Sequence, residues 1–146
     1  MSPELADWVQ AYGAAGLFGA AFVGATLVPI SSEAAFVAAL LAGLSPATAL
    51  AWATAGNTLG CVVNYGIGWW GRDLGADRLR QSRGGRAALA WLERFGLPAL
   101  LLSWLPVVGD PLTLAAGVAR VRFGLFLPVV GGLRLARYAA LWLAVQ

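Results

Sequence analysis

The run Trp104–Tyr138, WLPVVGDPLTLAAGVARVRFGLFLPVVGGLRLARY, decides the fold because it sets Asp110, Arg134 and Arg137 among long apolar runs. A charge at bilayer depth costs about 3 kcal/mol even on the most lenient insertion scale, so it is retained where it pairs, lines a wet cavity or touches cargo. Pro106 breaks the run ahead of Asp110, nine apolar or small residues lead from there to Arg120, and a second apolar run carries Arg134 and Arg137. The last two are i and i+3, on one helix face.

The rest of the chain is of the same kind. It has 146 residues, 60% hydrophobic and 12% charged, with mean hydropathy +0.74. A soluble domain carries about 25% charged residues, so this composition indicates an integral membrane protein. The length allows one membrane domain, residues 1–146, of an all-α class, because no sustained alternation supports a β-barrel. All 10 basic residues are arginine, and 5 of them lie between Arg72 and Arg86. That clustering reads as a topology signal and not as a nucleic-acid surface. There is no histidine, and Cys61 is the one cysteine, so Ser/His hydrolysis, most zinc chemistry and an intrachain disulfide are excluded. No cofactor is expected. The start MSPELADW has no basic n-region, so the first apolar segment is expected to stay in the protein.

Toward the N-terminus, residues 8–30 carry no charge and end at Pro29, after which Ser31 and Ser32 are placed to cap a restart. From Ala34 to Gly71 there are 38 residues without a formal charge, about 57 Å as one helix and nearly twice a bilayer crossing. The chain must turn, and Gly43-Leu44-Ser45-Pro46 offers a glycine cap followed by a proline restart. Residues 8–43 then read as a re-entrant hairpin and 47–70 as a span. Gly56, Gly60, Asn64 and Gly68 fall four apart on that span, a packing face that admits a second helix closely, with Tyr65 beside it. For Asn57, Asn64 and Tyr65 interhelical hydrogen bonding is the leading reading. Tryptophans 8, 52, 69, 91 and 142 read as interface anchors.

A polar loop at 71–87 precedes a recurrence of the pattern. Residues 87–105 read as a helix broken by Pro106, Asp110–Ala119 as a short segment and 123–144 as a span. Pro29-x3-Glu33 matches Pro106-x3-Asp110, and Gly43 is set against Gly117. Two repeats follow, about 8–70 and 88–144, each a re-entrant hairpin and one transmembrane helix. One net crossing per repeat makes them inverted. The arginine bias puts the loop and Arg120/Arg122 in the cytoplasm and both termini outside, in the periplasm. Counted from opposite faces, Glu33 and Asp110 each lie roughly 15 Å deep, and Arg134 lies at a similar depth. Four charges are expected to converge.

Gly56-Asn57-Thr58-Leu59-Gly60, Trp104-Leu-Pro-Val-Val-Gly-Asp110 and Arg134-x2-Arg137-Tyr138 resemble the DedA family, also called the VTT or SNARE-associated Golgi protein domain, in its YqaA-type branch. The resemblance implies two opposed re-entrant hairpins in a bacterial inner (cytoplasmic) membrane. It also implies lipid movement: undecaprenyl phosphate recycling in bacterial members, phospholipid scrambling in eukaryotic relatives, and proton coupling in some. The chain departs from the common pattern at Cys61, where an acid is usual, and at Ser103 and Gly109, where arginines are.

For Arg134 and Arg137 two readings stand. Guanidinium forks recognise a lipid phosphate, or they form a structural ion-pair network with the acids. For Glu33 and Asp110 the same division lies between proton exchange and pairing alone. The expected function is a flippase-type translocase that moves a phosphate-bearing lipid, with membrane lipids as partners, no nucleic acid, and a homo-oligomer compatible with the sequence. A proton-coupled small-solute carrier is the alternative, then a structural or assembly protein. An enzyme is excluded by the missing parts.

Overall fold

The computed structural model describes Pro3 and residues 9–25, 32–104 and 109–146. Pro29 and Pro106, expected as helix breaks, lie outside the described residues, as do Trp8 and Ser31. Among the described residues the chain is helical, with no strand. A π-helical turn, Val9–Gly13, leads into α1 (Ala14–Ala25). It is followed by α2 (Ser32–Leu41), α3 (Pro46–Trp70), α4 (Arg72–Arg80), α5 (Arg83–Phe95), a 3-10 helix (Leu97–Trp104), α6 (Gly109–Val118) and α7 (Phe123–Ala144). α7 is long and apolar enough to cross a membrane by length and composition. α3 has 25 residues and no formal charge, roughly 37 Å of helix.

The chain divides into two compact units, residues 1–60 with 134–146, and residues 61–133. In the first, α1 packs on α2 around Leu17, Ala21, Phe36, Leu44, Ala53 and Tyr138. Alanine fills much of this core because the backbones approach closely. A Cβ at Gly56 would strike the Phe18 carbonyl, and one at Gly60 would strike the Phe22 carbonyl and Ala25. Asn57 Nδ2 donates to the Ala21 carbonyl at 3.2 Å, which satisfies a buried amide that would otherwise cost a few kcal/mol in an apolar setting (about 1–3 from protein data).

In the second unit the same device recurs between the later half of α3 and α6. Gly68 faces the Leu114 carbonyl, and Gly117 faces the Tyr65 carbonyl with no room for a side chain. Asn64 Nδ2 donates to Thr113 Oγ1 at 3.1 Å, and Thr113 in turn donates to the Asp110 carbonyl at 2.7 Å. The Tyr65 hydroxyl donates to the Val121 carbonyl, and its ring lies 4.6 Å from that of Phe126, centroid to centroid. Leu79, Ala88, Leu92, Leu112, Leu114 and Val118 form the core beneath α4 and α5.

The stretch expected as a polar loop, 71–87, is helical: it holds α4 and the start of α5. Asp73 in the first turn of α4 and Arg78 and Arg80 in its last complement the helix dipole. Ser82 caps α5 by accepting from the Gly85 N–H at 3.0 Å. The single helix expected over 87–105 is also corrected. α5 stops at Phe95 because Gly96 takes a positive φ of +66 that glycine adopts readily, and the chain continues as a 3-10 helix from Leu97.

The turns that end α2 and α6 share one hydrogen-bond pattern. α2 ends with Gly43 at φ +97, its N–H bonded to the Leu40 carbonyl and that of Leu44 to the Ala39 carbonyl. α6 ends with Arg120 at φ +55, its N–H bonded to the Gly117 carbonyl and that of Val121 to the Ala116 carbonyl. Both are Schellman closures. Every landmark is displaced by 77 residues, Ser32 to Gly109, Leu41 to Val118, Gly43 to Arg120 and Pro46 to Phe123. Glu33 and Asp110 obey the same shift. The residue equivalent to Gly43 is therefore Arg120 and not Gly117, whose missing side chain serves contact with Tyr65.

Candidate functional site at the Glu33–Arg137 pair

α2 begins at Ser32, so Ser32 and Glu33 sit in its first turn. There the unbonded N–H groups and the positive end of the dipole favour an anionic side chain. α7 carries Arg134, Arg137 and Tyr138, positions i, i+3 and i+4 on one face. Arg137 Nη2 donates to Glu33 Oε1 in an ion pair. The next residue, Tyr138, donates its hydroxyl to Ser32 Oγ at 2.9 Å. Its ring also packs on Phe36, with centroids 5.1 Å apart. Two consecutive residues of α7 thus hold two consecutive residues of α2.

Exposure grades across this contact. The Arg137 and Glu33 side chains retain 19% and 31% of their accessible surface, whereas Tyr138 and Ser32 retain 0% and 4%. The ion pair keeps partial exposure while the adjacent pair of hydroxyls is buried. Arg134, one turn before Arg137, is 1% exposed and engages neighbours inside the fold. A guanidinium withdrawn this far is costly unless its charge and N–H groups are met, so its placement is a strong constraint on the sequence.

The structure therefore joins Glu33 with Arg137 and places Arg134 on the same face of α7. Asp110 lies half-buried in the first turn of α6, within the second unit, where its carbonyl accepts from Thr113. Gly56, Gly60 and Gly68 lie at close backbone approaches, and Asn64 and Tyr65 make hydrogen bonds between elements. Sequence reasoning missed the hydroxyl pair. Ser32 entered only as a cap and Tyr138 only as the end of a motif, and no spacing rule connects residues 106 positions apart.

A concavity of about 660 Å³ lies along α4 and α5 and is lined by Arg72, Arg80 and Arg86 against Asp73, Asp77 and Glu93. Its charges balance, and Arg80 already pairs with Asp77 at 3.5 Å on the surface. It offers an anion no net attraction. Among the described residues no group of three or more His, Cys, Asp or Glu is placed to hold a metal ion.

The VTT domain model matches residues 28–131, which takes in Glu33 and Asp110 and ends three positions before Arg134. Inner membrane protein YqaA of Escherichia coli is 43% identical over 109 residues, 74% of this chain and 73% of that protein. Its namesake in Shigella flexneri matches to the same extent. An uncharacterized protein of Haemophilus influenzae is 41% identical over 126 residues, covering 81% of this chain and 78% of its own length. No solved structure matches. On the extent of the family match and the identity to these relatives, the chain belongs to the DedA family of VTT domain proteins, in its YqaA-type branch.

Proposed function

We propose that this protein is a multi-pass lipid translocase of the bacterial inner membrane that moves a phosphate-bearing lipid, a polyprenyl phosphate or a phospholipid, between leaflets. The membrane reading is supported by a surface arranged inside out. Leu59, Val63, Ile67 and Trp70 are exposed along α3, and Leu125, Leu135 and Leu143 along α7, while Asn57, Asn64, Thr113 and Arg134 are buried. Apolar side chains outside and polar ones within suit hydrocarbon as the solvent. The Escherichia coli and Shigella flexneri relatives are named as inner membrane proteins.

The observation that carries the lipid reading is the partly open Glu33–Arg137 pair beside the buried Arg134. Two permanently charged forks on one helix face suit phosphate oxygens. Glu33 is an internal anion that occupies one fork in the absence of cargo. Ionised, it competes for Arg137 and expels a headgroup; protonated, it yields. Protonation from the periplasmic side then favours capture there and release inside, so the lipid moves inward with the proton gradient. Asp110, at the equivalent place in the second hairpin, is assigned the same proton-exchanging role.

The test is reconstitution of the purified protein in liposomes with labelled polyprenyl phosphate and labelled phospholipid. Leaflet exchange above protein-free vesicles supports the proposal. Absence of exchange with either lipid, alongside proton-dependent uptake of a soluble solute, moves the assignment to a solute carrier.

A further inference from the structure

We infer that α4 lies in the headgroup layer of the cytoplasmic leaflet, with Trp70 and Leu74 set toward the acyl chains and Arg78 and Arg83 binding anionic phospholipid. The inference rests on the membrane placement proposed above and is independent of what the protein moves.

α4 does not continue α3. In one straight helix residues 68 and 75 would stand about 10 Å apart, yet a Cβ at Gly75 would lie 3.5 Å from the Gly68 Cα and 3.2 Å from the Val118 side chain. The chain therefore turns back at Gly71, whose φ of −109 and ψ of 51 are not helical, and α4 is held against the last turns of α3 and the end of α6. A helix folded against the end of a span sits where hydrocarbon gives way to headgroups, the depth at which tryptophan collects.

The face that α4 turns away from the fold suits that depth. Val63, Ile67, Trp70 and Leu74 recur at helical spacing with exposures of 37%, 50%, 88% and 74%, so the apolar stripe of α3 carries on past the bend. Arg78 comes one turn after Leu74.

Charge supplies the second half of the argument. Of the 5 arginines between Arg72 and Arg86, two serve the hairpin itself: Arg80 pairs with Asp77, and Arg86 Nη1 donates to the Arg80 carbonyl at 3.0 Å. Arg72 lines the concavity in which the charges balance. Arg78 and Arg83 are exposed, lie outside that concavity and have no acidic partner among the described residues. A leaflet of anionic headgroups provides the missing counter-charge. Orientation of the chain requires arginines in this segment, but it does not require one left unpaired a turn away from an exposed leucine.

The full-length protein in a Cys61→Ser background is reconstituted in phosphatidylcholine liposomes with and without phosphatidylglycerol, with a nitroxide on a single cysteine at Val63, Leu74 or Gln81. Collision with oxygen against collision with a water-soluble nickel complex reads depth. All three positions are outside the packed core, as are Arg78 and Arg83, so the variants keep the fold. Leu74 is expected to favour oxygen as Val63 does, and Gln81 to favour nickel. Phosphatidylglycerol should lower nickel access at Leu74 about fivefold, and Arg78→Gln/Arg83→Gln should abolish that effect. Nickel access at Leu74 equal to that at Gln81 in both membranes overturns the inference, as does a phosphatidylglycerol effect that survives loss of both arginines; neither result touches the transport reading. A Val63 label that favours nickel overturns the membrane placement, and the inference with it.

Discussion

Arg137 on α7 and Glu33 in the first turn of α2 form an ion pair across 104 positions of sequence, at the edge of a core that keeps the neighbouring Tyr138–Ser32 contact dry. Breaking one side leaves the other charge poorly solvated. Glu33→Gln and Arg137→Gln singly should each cost about 2 kcal/mol, below the roughly 3–5 kcal/mol of a fully buried pair because both groups keep some exposure. The double variant should be more stable than the worse single. Thermal midpoints in detergent measure this, and strictly additive losses would show that the two side chains do not depend on one another.

The close backbone approaches separate two kinds of glycine. A Cβ at Gly68 meets backbone atoms of α6, while one at Gly66 meets nothing within 4 Å. Gly68→Ala should lose about 1–3 kcal/mol through overpacking, and Gly66→Ala should be neutral or gain up to about 1 kcal/mol of helix propensity. Equal midpoints for the two variants would mean that α3 and α6 do not pack as described.

Arg120 carries a left-handed conformation that Gly43 adopts without strain in the equivalent turn. Gly43→Ala should therefore cost about 1 kcal/mol. Arg120→Gly should be close to neutral, since relief of a similar strain offsets the loss of the guanidinium over the Trp69 ring, 5.1 Å from its centroid, worth about 0.5–1 kcal/mol at an exposed site. Urea or thermal titration of both variants checks the contrast. A large loss in Arg120→Gly would point to a further role for that side chain.

These turns illustrate what was legible in the sequence. The first was readable because its left-handed residue is glycine and a proline follows two positions after Leu44; the second was not, because Arg120 occupies the same conformation and charge hides a cap that glycine would announce. Gly117 drew the alignment instead, although its role is contact with the Tyr65 carbonyl. The apolar residues of 87–105 read as one helix, whereas Gly96 and Pro98 separate α5 from the 3-10 helix that follows. Charge type identified Glu33, Arg134 and Arg137 as candidates. Their partners depend on tertiary contacts, and nothing local encodes the meeting of Tyr138 with Ser32.

Topology follows from the arginine distribution. With 5 arginines between Arg72 and Arg86, that segment and Arg120/Arg122 should be cytoplasmic and both termini periplasmic. Single cysteines introduced at Gln81 and Gln146 in a Cys61→Ser background should react with an impermeant maleimide in intact cells only at Gln146. Labelling at Gln81 from outside would invert the assignment.

As proposed headgroup ligands, Arg134 and Arg137 must do more than neutralise acids. Lysine retains the charge and the pairing with Glu33 but removes the fork. The most direct measurement is leaflet exchange of labelled polyprenyl phosphate in liposomes by wild type and by the Arg134→Lys/Arg137→Lys variant, with thermal midpoints taken on the same preparations. The variant should remain folded while its exchange falls at least tenfold; exchange equal to wild type, or exchange indifferent to removal of the headgroup phosphate, would rule out headgroup binding by the two arginines.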